Sequence, residues 1–141
     1  MSPLLVVHLA VAAGYAGFQW TVQVLVYRQF ELVPAAAFVA YEQAHQRRVS
    51  FVVGPLFAGL TLTTAGVLFF RPAGTPWWAG IVGAVLLVVI LGVTAFLAVP
   101  LHGRLSTGFE KSVYRSLLRV DLVRAVAATL DAALAAWLLL R

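Results

Sequence analysis

Glu42 and His45 stand three residues apart in the stretch YEQAHQRRVS, residues 41–50, directly before the uncharged run FVVGPLFAGLTLTTAGVLFF. On a helix this spacing puts a carboxylate and an imidazole on one face, the Glu-x-x-His geometry of di-iron carboxylate bundles. Such a centre needs a second element of the same kind and two further carboxylates. Glu31, Glu110, Asp121 and Asp131 do not supply that pattern. A mononuclear metal site of His45, His102 and Glu42 stays open. So does a haem ligated axially by His45 and His102, although His102 follows Pro100 in VPLHGRL, which reads as a turn. The same two imidazoles suit proton transfer without a metal, because a neutral ring accepts a substrate proton near neutral pH. Arg47, Arg48, Arg104 and Arg124 are then the cations that could hold an oxyanion or enolate. The plain alternative is a polar collar, with each His capping a helix end or touching lipid headgroups. For His8 that plain reading is the expectation.

The elements that must position these groups follow from composition. Of 141 residues, 62% are hydrophobic and 11% charged, with mean hydropathy +0.96. A soluble fold of this length cannot bury so much apolar surface, so lipid must cover it. No charge precedes Arg28, and none falls between Arg48 and Arg71 or between Arg71 and Arg104. With about 20 apolar residues needed to cross the hydrocarbon core, the chain reads as one all-α transmembrane domain, residues 1–141. It is a four-helix bundle with spans at about 4–27, 49–70, 77–99 and 119–140 and charged connections at 28–48 and 100–118. The first run lacks a basic leader and reads as a retained span. There is no cysteine, which removes disulfides and thiolate chemistry.

Arg28, Arg47 and Arg48 belong to the first connection, and Arg104, Lys111, Arg115 and Arg119 to the third. The positive-inside rule therefore sets both connections in the cytoplasm and both termini outside, as in a multi-pass protein of the cell inner membrane. The cations then serve topology and contacts with membrane lipids, and no nucleic-acid partner is needed. Pro34 is expected to start a helix that runs into the second span. Pro55 is expected to bend that span and make room for a pocket, and helix 3 to end at Pro100. Trp77 and Trp78 mark an interface. Gly54, Gly59, Gly80 and Gly83 would let helices approach, including those of a homo-oligomer.

Polar residues inside the spans need partners. His8, Tyr15, Gln19, Gln23 and Tyr27 follow steps of seven, four, four and four, one face of a helix, and must point into the bundle. They read either as interhelical glue or as the lining of a polar cavity. Asp121 and Asp131 flank Arg124 at three and seven residues, so one guanidinium could serve either acid. Gln19, Trp20, Gln23, Tyr27, Arg104 and Asp131 are the expected substrate contacts, and His45, His102, Arg48 and Arg124 the expected catalytic groups.

With FQWTVQVLVYRQF in the first helix, YEQAHQRRV before the second, VPLHGRL after the third and GFEKSVYRSLLRVDLVR leading into the fourth, the chain resembles the DUF1772, or anthrone oxygenase-like, group of small four-helix membrane proteins. The resemblance covers nearly the whole layout and implies an oxygenase or oxidase that takes reduced polycyclic phenols to quinones. It matches His45 and His102 to the motif histidines, with Arg48, Arg104 and Arg124 as anion partners. The start of helix 4, LLRVDLVRAV, departs from the Trp- and Asn-richer pattern of that group. The expected function is His-assisted deprotonation and oxidation of a lipophilic phenolic, anthrone-like or quinol-like molecule, with no cofactor, a single metal ion or a haem. The competing readings are a quinone- or haem-binding membrane subunit, a proton-coupled transporter using Asp131, and a purely structural bundle.

Overall fold

The computed structural model describes residues 2–141 and is helical almost throughout. Four helices, α1 (Pro3–Leu32), α2 (Ala35–Phe70), α3 (Trp77–Leu105) and α4 (Lys111–Leu140), are each long and apolar enough to cross a membrane. α1 packs on α2 and α4, and α3 packs on the same two, so the up-and-down bundle closes with the last helix against the first. Its polarity is inverted relative to a soluble protein. Phe51, Leu62 and Phe96 are 74–81% exposed, whereas Gln19, Glu42 and Asp121 are completely buried. Those polar groups need intramolecular partners if hydrocarbon surrounds the bundle.

The two ends differ. One end carries both termini and the RPAGTP turn, where Arg71 in the left-handed region (φ 39°) closes α2 and Gly74 (φ 82°) completes the reversal. Here the helix limits match those read from the sequence. The other end, called the basic end below, holds the two connections expected at 28–48 and 100–118. These are not loops. α1 runs on to Leu32 and α2 starts at Ala35, α3 reaches Leu105, and α4 begins at Lys111. Amphipathic residues here have helical neighbours to pack against, so Phe30, Phe38, Leu105, Tyr114 and Leu117 form a core of their own beyond the expected spans. As expected, α2 continues from Pro34 without a break; its 36 residues extend about 54 Å, well beyond the ~30 Å hydrocarbon core.

Pro100 does not end α3. A π turn at Thr94–Ala98 comes just before it, and the wider turn relieves the clash between the proline ring and the preceding carbonyl. His102 therefore lies on a helix rather than in a turn. α2 likewise continues through Pro55.

Several glycines are used within the chain. A Cβ on Gly80 would lie 2.9 Å from the Leu68 Cα, so α3 and α2 meet almost backbone to backbone, and one on Gly59 would lie 3.0 Å from the Val11 side chain. At the same end Trp78 packs on Trp137 in a tilted pair, with centroids 5.3 Å apart, and Arg141 lies 4.5 Å over the Trp137 ring.

Candidate functional site

The polar stripe of α1 points inward as its spacing requires: His8, Tyr15, Gln19, Gln23 and Tyr27 are all buried. Steps of four overshoot a 3.6-residue turn by about 40° each. A π turn at Val22–Val26, followed by a tight turn from Tyr27, absorbs part of that drift and keeps Gln23 and Tyr27 on the interior face. π turns thus interrupt α1 and α3 at the same level of the bundle, and such turns concentrate at functional sites.

Between them lies a continuous polar network. Glu42 Oε1 is 2.5 Å from His102 Nδ1 across the α2–α3 seam. With Glu42 Oε1 accepting from Nδ1, His102 Nε2 is left to accept from the Tyr27 hydroxyl at 2.8 Å. The Tyr27 oxygen is also approached by Arg124 Nη2 at 3.5 Å. Arg124 donates through Nη1 to Thr94 Oγ1 at 3.1 Å and through Nη2 to Asp121, its ion-pair partner one turn back. Asp121 in turn accepts from Gln19 Nε2 at 2.5 Å, and Gln23 Nε2 donates to the Leu118 carbonyl. At the other limit Gln46 Nε2 stands 2.5 Å from Ser106 Oγ and 3.2 Å from Glu42 Oε1. Glu42, His102, Tyr27 and Arg124 form a carboxylate–imidazole–phenol–guanidinium series drawn from all four helices. Arg124 Nε and Glu42 Oε2 remain buried without a partner.

A cavity of about 140 Å³ opens on this series, with Tyr27, His102, Arg124 and Thr94 at its polar wall and Val49, Val53 and Phe57 among its apolar lining. It spans the turn of α2 that contains Pro55, where the sequence points to a pocket. Beside it, and sharing Phe18, Val22 and Val49 with it, a groove of about 350 Å³ runs between α1 and α2 and includes His45 and Arg48.

The sequence candidates therefore divide. His102, Tyr27 and Arg124 meet at the cavity, with Gln19 and Gln23 behind them. His45 is one layer out: its ring stacks on His102, with centroids 5.7 Å apart and planes 27° from parallel. Arg48 is exposed in the groove. Arg104 lies elsewhere, its side chain 61% exposed and paired to Glu110 at 3.0 Å. Trp20 bonds Thr129 on the outer side of the α1–α4 seam. Asp131 is 3% exposed but lines neither cavity nor groove, and Arg124 is committed to Asp121. His8 is not a headgroup contact: it is 2% exposed and bonds Thr63 Oγ1 of α2 at 3.0 Å.

Glu42 and His45 share a face, yet Glu42 turns to His102, sixty residues away. Among the described residues no three His, Asp or Glu side chains are arranged to hold a metal ion. Glu42 and His102 bond each other directly, where ligands would point at a common centre. His45 and His102 present ring faces to one another, which does not fit axial ligation of a haem between them. Gln46, Thr94 and Ser106 are members of the site that the sequence does not single out. Gln46 alone leaves a signal, one turn after Glu42 on the same helix face.

Comparison with known protein families, characterised proteins and solved structures finds no match to this chain.

Proposed function

We propose that this chain is a membrane oxidase that deprotonates a lipophilic one-ring quinol in the cavity between its helices and passes its electrons to dioxygen. The observation that carries this reading is the Glu42–His102–Tyr27–Arg124 series facing an apolar cavity. In the proposed step Glu42 fixes the imidazole, and His102 Nε2 accepts the substrate proton directly or through the Tyr27 hydroxyl. Arg124, beside the Tyr27 oxygen, pairs with the phenolate formed. The quinol then gives two electrons and two protons to dioxygen, which partitions into lipid, yielding quinone and hydrogen peroxide. The resemblance to anthrone oxygenase-like proteins supports this class of chemistry. Size narrows it: a cavity near 150 Å³ takes one benzene ring, so a monocyclic quinol suits the ~140 Å³ space better than three fused rings. By the positive-inside rule the site lies in the cytoplasmic half of an inner-membrane bundle.

The test is oxygen uptake by the purified protein in nanodiscs, with a short-tailed benzoquinol and an anthrone as alternative substrates and with metal content and absorption spectrum recorded on the same sample. Wild type should consume oxygen with the benzoquinol above the uncatalysed rate. His102→Ala should lose at least about 100-fold, the usual scale of a general base, and Tyr27→Phe less. Uptake no faster than background with either substrate, or an undiminished rate in His102→Ala, sinks the proposal. A stoichiometric metal or haem lost in a His45→Ala, His102→Ala double variant would replace it with a ligand role for the pair.

A further inference from the structure

The groove between α1 and α2 is not used by the step proposed above, and its lining is sharply divided. One wall and the floor are apolar, with Phe18 and Val22 from α1 and Val49 and Val52 from α2. At one place on α2 two cationic or proton-donating groups enter it, His45 and Arg48. Neither is satisfied among the described residues. Arg48 pairs with no acid among the described residues, and His45 Nε2 is a buried ring nitrogen without a partner. No acidic side chain lines the groove. Arg48 also stands immediately before the uncharged run that begins at Val49, where a snorkelling guanidinium reaches phosphate depth while the residues that follow face acyl chains.

We infer that this groove is a binding site for one anionic phospholipid, its phosphate held by Arg48 and His45 and one acyl chain lying along Phe18, Val22, Val49 and Val52. Charge complementarity selects an anionic head, and the apolar wall requires a chain attached to it. The volume of about 350 Å³ leaves space for part of one chain and not for two. The site also touches the candidate chemistry, because the His45 ring lies against His102 and Val22 and Val49 are walls of both spaces. The lipid site nevertheless does not depend on the oxidase reading.

The experiment is thermal unfolding of the full-length protein in a neutral detergent, titrated with dioleoyl phosphatidylglycerol, dioleoyl phosphatidylcholine, oleate or inorganic phosphate. Phosphatidylglycerol should raise the unfolding midpoint saturably, and the other three should not. Arg48→Gln and His45→Gln should each weaken the response about tenfold, the scale of one lost bond to a charged group. Arg47→Gln, the neighbouring arginine outside the groove, should leave it unchanged. Val52→Trp fills the apolar wall at a half-exposed position, where folding is least at risk, and should abolish the response while all charges stay. Equal stabilisation by phosphatidylcholine would mean a nonspecific lipid belt, and equal loss in Arg47→Gln a diffuse charge effect. Saturation by phosphate alone or by oleate would assign a different occupant. Any of these outcomes overturns the proposal.

Discussion

The two halves of the bundle solve the same problem, helices held together within an apolar surrounding, by opposite means. Toward the termini they meet through small residues and apolar contacts, with Gly80 against the Leu68 backbone and Gly59 against Val11. The His8–Thr63 bond is an isolated polar pair there. Toward the basic end they are held by Gln19, Asp121, Arg124, Tyr27, His102 and Glu42, a chain of polar groups each needing the next. Close packing there leaves only an open, wholly apolar groove between α3 and α4, on Leu86, Val89, Val126, Ala127 and Leu130. The networked half has π turns in two helices and a cavity, and it keeps buried donors and acceptors in reserve. Both halves are held together, but only the networked half also builds a site, and each can be broken in its own way.

The largest effect is expected from Arg124→Met. It removes the cation and leaves the Asp121 carboxylate buried and unpaired, which costs about 3–5 kcal/mol at a buried ion pair. The variant should lose its cooperative thermal transition or elute aggregated in detergent. An Asp121→Asn, Arg124→Met double variant should recover most of the loss, since no charge is then stranded. If the single variant is no less stable than wild type, the polar half is not held by its network and the contrast fails.

Next in size is Gly80→Ala. The new Cβ meets main chain at 2.9 Å, which cannot rotate away, so α3 must shift. Overpacking of this kind costs about 1–3 kcal/mol, more than the helix-propensity gain of up to about 1 kcal/mol. At Gly92, beside the π turn of α3, an added Cβ would meet nothing within 4 Å. Gly92→Ala should therefore leave the unfolding midpoint unchanged or raised. Equal responses at the two positions would show that the terminal half is no more tightly packed than the other.

How far these halves can be read from the sequence follows from where their signals lie. The terminal half is legible because apolar runs, the Trp77–Trp78 pair and the RPAGTP turn act locally. The α1 stripe is legible because helical periodicity alone decides which residues face inward. At the basic end the spans read from charge stop short of the helices, because charge marks the membrane boundary and not the end of a helix. Helices whose charged faces look outward keep their apolar residues for a core, and Phe30, Phe38 and Tyr114 form one. The pairing of Glu42 with His102 is hidden for a different reason. Spacing reveals partners on one helix, whereas this bond joins two helices at a separation no local pattern encodes. Pro100 misdirects the reading in the same region, because the π turn that lets α3 pass through it has no signature in residue type.

A smaller effect is expected at Asp131, the buried acid left outside the network. Its Oδ1 has no partner, so Asp131→Asn removes no bond and eliminates the chance of an unpaired charge. The unfolding midpoint should stay within the equivalent of about 1 kcal/mol of wild type or rise, and benzoquinol oxidation should be unchanged. A loss as large as that of Arg124→Met would mean that the terminal half contains a polar linkage of its own, and the division between halves would have to be redrawn. Proton-dependent uptake that vanished in this variant would instead support transport.

The smallest effect is expected from Arg104→Gln, and it separates charge at the basic end from charge inside it. Arg104 and Glu110 pair at 3.0 Å, but both side chains are more than half exposed. The Glu110 carboxyl is held below its ordinary range first by the Ser112 hydroxyl and then by Arg104. Ser112 and water therefore keep Glu110 satisfied when the guanidinium is removed, and exposed ion pairs contribute little because solvent screens them and their side chains lose entropy in pairing. The unfolding midpoint and the oxidation rate should both equal those of wild type. A rate that fell in Arg104→Gln while the midpoint held would bring this arginine back to the substrate. The site would then extend past the cavity wall to the surface, and the chemistry could no longer be confined to the four-helix network around Tyr27 and His102.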